Sequence, residues 1–269
     1  MDSRAIGVFD SGLGGLTTVK KLAEYLPGED IVYLGDTGRV PYGSRSKETI
    51  IKYAQQDAAF LKGFDIKAMV IACNTVCSVA YDFIASAHDI PIYEVVSAPA
   101  RAAAEITING KIGVIGTAAT IRSGAYESAI KKISSELNIF SVQCPLFVPL
   151  VENGRTDSCD IAARTIAEDY LRQLQEENVD TLIMGCTHYP LLRDVISGIM
   201  GSNVTLIDSG AETAKAVAAD IKAEKLRPNG GSAGSIRYFV TDSIDGFSAF
   251  ASKILEREVS GLVEQVTID

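Results

Sequence analysis

Cys73 in the segment ACNT and Cys186 in the segment GCTH are the residues of this 269-residue chain best suited to chemistry. Each follows a short apolar run and a small residue, and each opens a helix-like pattern. At the carboxyl end of a parallel strand, where the chain turns into a helix, backbone N–H groups and the helix dipole favour an anion. A thiol there is expected to have a lowered pKa, acting as a base when ionised and as an acid when protonated. A single buried cysteine can equally be a small apolar core residue; the repetition of the setting points to function. Two thiols from two similar parts of a chain can face each other across a cleft with a small anionic molecule between them. Such a pair suits removal of a proton from one face of a carbon and its delivery to the other, as inversion of a stereocentre requires. The α-proton of an amino acid is far less acidic than a thiol, and each unmatched pKa unit costs about 1.36 kcal/mol. The site must therefore supply donors around the carboxylate and a nearly dry cavity.

Other polar residues cluster around these two in the sequence. His188, two positions after Cys186, can tune that thiol or move a proton. The segment FDSGLGGLTTV follows a strand pattern and opens a helix, but Thr17 stands where the third glycine of G-x-G-x-x-G would be, and no G-K-[ST] follows. It reads either as a turn offering amides and the Ser11 hydroxyl to a carboxylate-sized anion, with Asp10 as an acid, base or ammonium partner, or as a close-packed βα turn. Pro41, Tyr42 and Gly43 form a turn of unassigned role. Cys77 falls on the helix after Cys73, so the two do not make a C-x-x-C redox motif, and Cys144 and Cys159 have no obvious partners. With only two histidines, His88 and His188, and no closely spaced ligand pairs, a metal site is not expected.

Composition narrows the class. The chain is 47% hydrophobic and 22% charged, large enough for one big α/β domain or two smaller ones. Its net charge is −9 with basic residues scattered, so a nucleic-acid partner is not expected. No apolar run approaches the ~18 residues of a membrane span. The opening MDSRAIGVFD carries neither a basic nor an apolar leader region, so a reducing cytoplasm with free thiols is the expected compartment.

The elements that must position the cysteines follow from periodicity. Strands are predicted at residues 5–9, 30–34, 66–72, 91–96, 111–115, 140–144, 181–184, 204–207 and 237–240, and helices at 17–26 and from an N-cap at Ser46 to Gly63. This alternation indicates α/β architecture with mainly parallel sheets. AIGVFDSG at residues 5–12 is answered by KIGVIGTA at 111–118, and each is followed by one of the cysteine segments, so the chain reads as two related halves. Because the segment after residue 204 returns to strand and helix without a third cysteine segment, the first domain is predicted to be discontinuous, residues 1–97 plus 208–269, enclosing a second at 98–207, with hinges at 97–99 and 208–210.

DSGLGG at Asp10, VPYG at Val40, ACNT at Ala72, PLFVPLVE ending at Glu152 and GCTHYP at Gly185 occur together and in order. In these motifs the chain resembles the glutamate racemase family of the cofactor-independent aspartate/glutamate racemase superfamily, over essentially its whole length. The resemblance implies two similar three-layer α/β domains related by a pseudo-twofold axis, with the active site in the cleft between them. It implies interconversion of L- and D-glutamate without a cofactor, supply of D-glutamate to bacterial peptidoglycan, and a homodimer. It further implies that Cys73 takes the proton from the D-isomer and Cys186 from the L-isomer, that Asp10 assists Cys73, and that Glu152 and His188 assist Cys186. Asp10, Ser11, Pro41, Tyr42, Gly43, Asn74, Thr75, Thr187 and His188 are the implied substrate contacts, with Asp36 a weaker candidate. Activation by a cell-wall precursor, found in members with an N-terminal extension, is not expected. Three rivals remain: an aspartate racemase, a non-catalytic amino-acid binding protein, and a redox protein with a Cys73–Cys186 disulfide.

Overall fold

A computed structural model describes residues 1–230, 233–259 and 261–268. The first part of the chain forms β1 (Ile6–Asp10), α1 (Leu16–Tyr25), β2 (Ile31–Gly35), α2 (Lys47–Lys62), β3 (Ala68–Ile71), α3 (Asn74–Ala85) and β4 (Ile92–Glu94). There follow α4 (Ser97–Ile106), β5 (Lys111–Gly116), α5 (Ala118–Ser123), α6 (Ala125–Ile133), β6 (Asn138–Gln143), α7 (Phe147–Glu152), α8 (Ile161–Glu176), β7 (Thr181–Gly185), α9 (Arg193–Met200) and β8 (Thr205–Asp208). The chain closes with α10 (Ser209–Lys222), β9 (Ile236–Val240), α11 (Ile244–Leu255) and β10 (Val263–Gln265).

Two all-parallel sheets result, one in the order β10-β9-β2-β1-β3-β4 and the other β6-β5-β7-β8. The sequence duplication is visible in this arrangement: β2-β1-β3-β4 and β6-β5-β7-β8 are the same four-strand unit, with β9 and β10 added at the β2 edge of the first. In each unit the chain reverses its winding direction beside the central strand, between β1 and β3 or between β5 and β7. Crevices at the carboxyl ends of strands open at such points. Asp10 and Cys73 lie at one of them, Thr117 and Cys186 at the other.

Helices cover both faces of each sheet, so the central strands are buried throughout and mostly apolar: every residue of β1, β2, β3 and β7 is buried. One core, built from Val32, Leu34 and Ile71 with Ala54, Ala58 and Leu61 of α2, continues into the second sheet through Ile112, Val114 and Ile183. The opposite face of the first sheet packs on α1, α10 and α11, and that of the second on α8 and α9. The α1 helix turns Leu16, Val19 and Leu22 inward at helical spacing, each such burial contributing about 1.5–3 kcal/mol. Ser46 caps α2 as expected, accepting from the Thr49 amide at 3.3 Å.

Two expectations change. The segments read as hinges are first turns of helices. The Glu94 carboxylate accepts from the amides of Val96 and Ser97 at 2.5 and 2.8 Å and starts α4. Asp208 accepts from the Ala211 amide at 3.0 Å and starts α10. The strand β10, absent from the sequence reading, is a three-residue edge strand with only Val263 buried, too short for a period-two pattern to register. Among the described residues no helix is long and apolar enough to cross a membrane.

Candidate active site

The carboxyl ends of β1, β3 and β7 converge on a cavity of about 280 Å³ whose lining includes both Cys73 and Cys186. Ser11, Tyr42, Gly43, Asn74, Thr75, Thr187, His188, Pro41 and Glu152 line it as well. A larger groove of about 510 Å³ near Lys20 and Lys253 shares only Glu152 with it and contains neither thiol.

The glycine-rich turn after β1 explains how the two halves come so close. A Cβ on Gly14 would stand 2.3 Å from Thr187 Oγ1 and 2.5 Å from His188 Nδ1, and one on Gly15 would lie 2.4 Å from Asp10 Cβ. The Thr17 hydroxyl, in place of the third glycine, lies 2.9 Å from both the Gly14 and the Thr187 carbonyls. The turn is thus a close-packed joint against the second half, while Ser11 and Gly12 face the cavity. Asp10, fully buried, accepts from the Gly12 amide at 3.1 Å and from Thr187 Oγ1 at 3.4 Å. Burial pushes its carboxyl above the ordinary range, against the pull of His188 and of the Gly15 and Gly12 amides.

The two thiols differ. Cys73 caps α3, with its Sγ 3.3 Å from Ser11 Oγ. Here the expectation of a lowered pKa is reversed: burial pushes the thiol up to about 12, the Asp10 carboxylate adds to the effect, and the Ser11 hydroxyl and Val76 amide oppose it only in part. Cys186 Sγ lies 3.8 Å from His188 Nδ1, and His188 Nε2 lies 3.1 Å from Glu152 Oε1. Burial disfavours the imidazolium, but the hydrogen bonds to Cys186 and Glu152 and the charge of Asp10 outweigh it, so His188 is pushed up to about 10. The His188 ring therefore stands beside one sulfur, while the Asp10 carboxyl acts on the other. All five cysteines are free thiols.

Several expected contacts have their side chains engaged elsewhere. Asn74 donates to Ser209 Oγ at 3.2 Å and accepts from the Tyr126 hydroxyl at 2.5 Å. The Tyr42 hydroxyl points away from the cavity to Asp36 and Asp57. Asp36 itself lies beneath the turn and does not line the cavity. The peptide bond between Val40 and Pro41 is cis.

The residues missed include Thr117 and Tyr126. Thr117 lines the cavity and its hydroxyl lies 2.9 Å from that of Thr75; aligning KIGVIGTA with AIGVFDSG puts it opposite Ser11, so the duplication contained the signal. Tyr126 of α6 joins the two cysteine segments: its hydroxyl reaches Asn74, next to Cys73, and Val95 at 2.8 Å, while its ring blocks a Cβ on Gly185, next to Cys186, at 3.0 Å. No spacing rule connects a helix tyrosine to these segments. Tyr126→Phe leaves the buried Asn74 carbonyl without its donor, at a cost of about 1–3 kcal/mol, and is expected to lower the melting temperature by roughly 2–10 °C. An unchanged thermal unfolding curve would refute that role.

The profile of the family described as Asp/Glu/Hydantoin racemase matches residues 6–217. A glutamate racemase of Geobacter metallireducens is 46% identical over 270 aligned residues, covering 100% of this chain and 98% of that protein. The solved glutamate racemase isoform RacE1 of Bacillus anthracis superposes with a TM-score of 0.94 at 37% identity, covering 99% of this chain and 98% of that one. The glutamate racemase of Francisella tularensis, solved in complex with D-glutamate, does so with a TM-score of 0.92 at 38% identity, over 100% and 99% of the two chains. The chain belongs to the Asp/Glu/Hydantoin racemase family and, within it, is an amino-acid racemase of the glutamate racemase group.

Proposed function

We propose that the protein interconverts L- and D-glutamate by a two-base mechanism in which Cys73 and Cys186 act from opposite faces of the α-carbon. The observation that carries this reading is the presence of both thiols in one small cavity, each at the end of an equivalent strand. Glutamate is favoured as substrate by the similarity to the Francisella tularensis protein, whose structure holds D-glutamate. The thiolate removes the α-proton, the opposite thiol delivers its own, and the two sulfurs end the turnover with their charges exchanged. Starting from L-glutamate, Cys186 is the base, supported by His188 and Glu152; starting from D-glutamate, Cys73 is the base, supported by Asp10. Ser11, Thr75 and Thr187 offer hydroxyl donors to the substrate, and Pro41, Tyr42, Gly43 and Asn74 border it. Val40, Pro145, Val148 and Pro149 form an apolar wall that limits water.

The same proposal includes a first domain of residues 1–97 plus 208–269 around a second of 98–207, supported by the division of strands between the two sheets. It includes supply of D-glutamate to peptidoglycan in the cytoplasm, and a homodimer, which sedimentation would test.

Optical rotation of L-glutamate and of D-glutamate, each incubated with the purified protein, is expected to decay to zero while aspartate is unchanged. Decay of aspartate alone would replace the substrate; decay of neither would remove the racemase reading in favour of binding. The asymmetry of the thiols has its own consequence. In a Cys159→Ser background, which removes the exposed thiol, alkylation near neutral pH is expected to mark Cys186, beside the imidazolium, before Cys73, whose thiol is pushed up to about 12. Peptide mapping that finds Cys73 modified first would contradict this.

A further inference from the structure

The segment LGDTGRVPYG runs from β2 to the cavity wall, and three of its side chains converge with one of α2 beneath that wall. Tyr42 is buried, with its hydroxyl within hydrogen-bond reach of Asp36 Oδ2 and 3.1 Å from Asp57 Oδ2. Arg39 bridges the same two carboxyl groups, donating from Nε to Asp36 Oδ2 at 2.6 Å and from Nη2 to Asp57 Oδ1 at 2.7 Å. Its Nη1 donates to Gln56 Oε1 at 2.7 Å, and its guanidinium lies 4.4 Å from the centre of the Tyr53 ring.

We propose that Asp36 and Asp57 hold a single proton between them, seated on Asp57 and relayed through the Tyr42 hydroxyl, and that this network positions residues 41–44 as a wall of the cysteine cavity. A phenol has one proton to donate, so it satisfies one of two ionised carboxylates and leaves the other facing an oxygen lone pair. Protonating one carboxyl removes the conflict: Asp57 donates to Tyr42, and Tyr42 donates to Asp36. The surroundings choose the site of the proton. Asp36 accepts from Arg39, from Tyr42 and, at 2.8 Å, from Thr241 Oγ1. Asp57 accepts from Arg39 on one oxygen, and its other oxygen has the Tyr42 hydroxyl at 3.1 Å as its partner. The carboxylate with more donors around it keeps the charge, and one guanidinium balances it.

Two further facts agree. Burial and the neighbouring Asp36 charge push the Asp57 carboxyl well above its ordinary range, with Asp10 adding a smaller effect in the same direction. Burial, with the neighbouring Asp57 and Asp36 carboxyl groups, holds the Tyr42 phenol far above its ordinary range, so it keeps its proton.

The network fastens the wall from three sides. Gln56 and Asp57 belong to α2. Thr241, just past β9, also accepts from the Gly38 amide at 2.8 Å. On the far side the Gly43 carbonyl accepts from the Ala119 amide of the second sheet's layer at 3.2 Å. Asp36, Arg39 and Asp57 are positioning residues: they set where Pro41 and Gly43 stand.

Two measurements on the full chain test the two halves of the proposal. The infrared difference spectrum of wild type against Asp57→Asn, taken without substrate, should show the carbonyl stretch of a protonated carboxylic acid lost in the variant. No such band, or a band lost instead in Asp36→Asn, would overturn the assignment. In kinetics, Asp57→Asn keeps a donor to Tyr42 and an acceptor for Arg39, and should retain kcat/KM within about threefold. Asp36→Asn, which sets an amide NH2 against the donors of either Arg39 and Tyr42 or Thr241, should lose about tenfold or more, chiefly through a higher KM. Activity retained within about threefold in both variants would overturn the positioning role, and an equal loss of about tenfold in both would overturn the seating of the proton on Asp57. The kinetic half rests on the cavity being the glutamate site, whereas the infrared half does not, so failure of one is distinguishable from failure of the other.

Discussion

Cys73→Ser and Cys186→Ser are each expected to fold and to lose racemisation by roughly 10²–10⁴-fold or more in both directions, because each direction needs one sulfur to remove a proton and the other to supply one. A serine hydroxyl is too weak an acid to exchange roles with a thiol in this site. The informative difference lies in what each variant retains. On the proposed assignment of faces, Cys73→Ser leaves Cys186, beside His188, facing the L-isomer, so α-deuterium from solvent should enter L-glutamate without inversion. With Cys186→Ser the same wash-in should be confined to D-glutamate. Isotope analysis of each isomer after incubation in D2O reads this directly, and a single variant that exchanged both isomers would defeat the assignment of faces.

The second large effect is expected at a residue with no side chain. Gly14→Ala places a methyl group on top of Thr187 Oγ1 and His188 Nδ1. The β1–α1 turn or the Cys186 segment must then retreat, and misplacement of a catalytic group by about 1 Å can cost 10²-fold. The loss should fall on kcat, with kcat/KM reduced by the same factor in both directions, because on the proposed mechanism Cys186 beside His188 is the base in one direction and the acid in the other. Steady-state rates measured in each direction check this; activity within a fewfold of wild type would show that the joint yields without moving the imidazole. Gly12, whose Cβ would meet only Val40 Cγ1 at 2.8 Å, is a useful contrast because that side chain can turn away.

What could be read from the sequence and what could not divide along physical lines. Parallel strands covered on both faces are continuous apolar runs, so β1, β3, β5 and β7 and the cysteines that follow β3 and β7 were legible. Ser46 and Gly63 marked the ends of α2. The edge strand β10 was not legible, since one buried valine makes no pattern. At the thiols, position after a strand was readable but burial was not. For Cys73, burial and the Asp10 carboxylate outweigh the helix N-terminus and reverse the expected shift. The segment at residues 34–43 showed its Pro-Tyr-Gly turn, yet its dependence on Asp57 of the next helix and on Thr241 near the far end of the chain is a tertiary fact. Tyr126 belongs to the same class: its contacts with Asn74 and Gly185 exist only once the two halves have docked.

One measurement bears most directly on the two-thiol mechanism: the isotopic content of the first product formed. L-glutamate with a protium at the α-carbon is incubated with the wild-type protein in D2O, the reaction is stopped at low conversion, and the D-glutamate is separated and weighed by mass spectrometry. Two bases on opposite faces predict one solvent deuterium in essentially every D-glutamate molecule, because the delivering thiol is not the group that received the substrate's proton. D-glutamate that retained the original protium would mean that a single group carries the proton from one face to the other, and would contradict the mechanism.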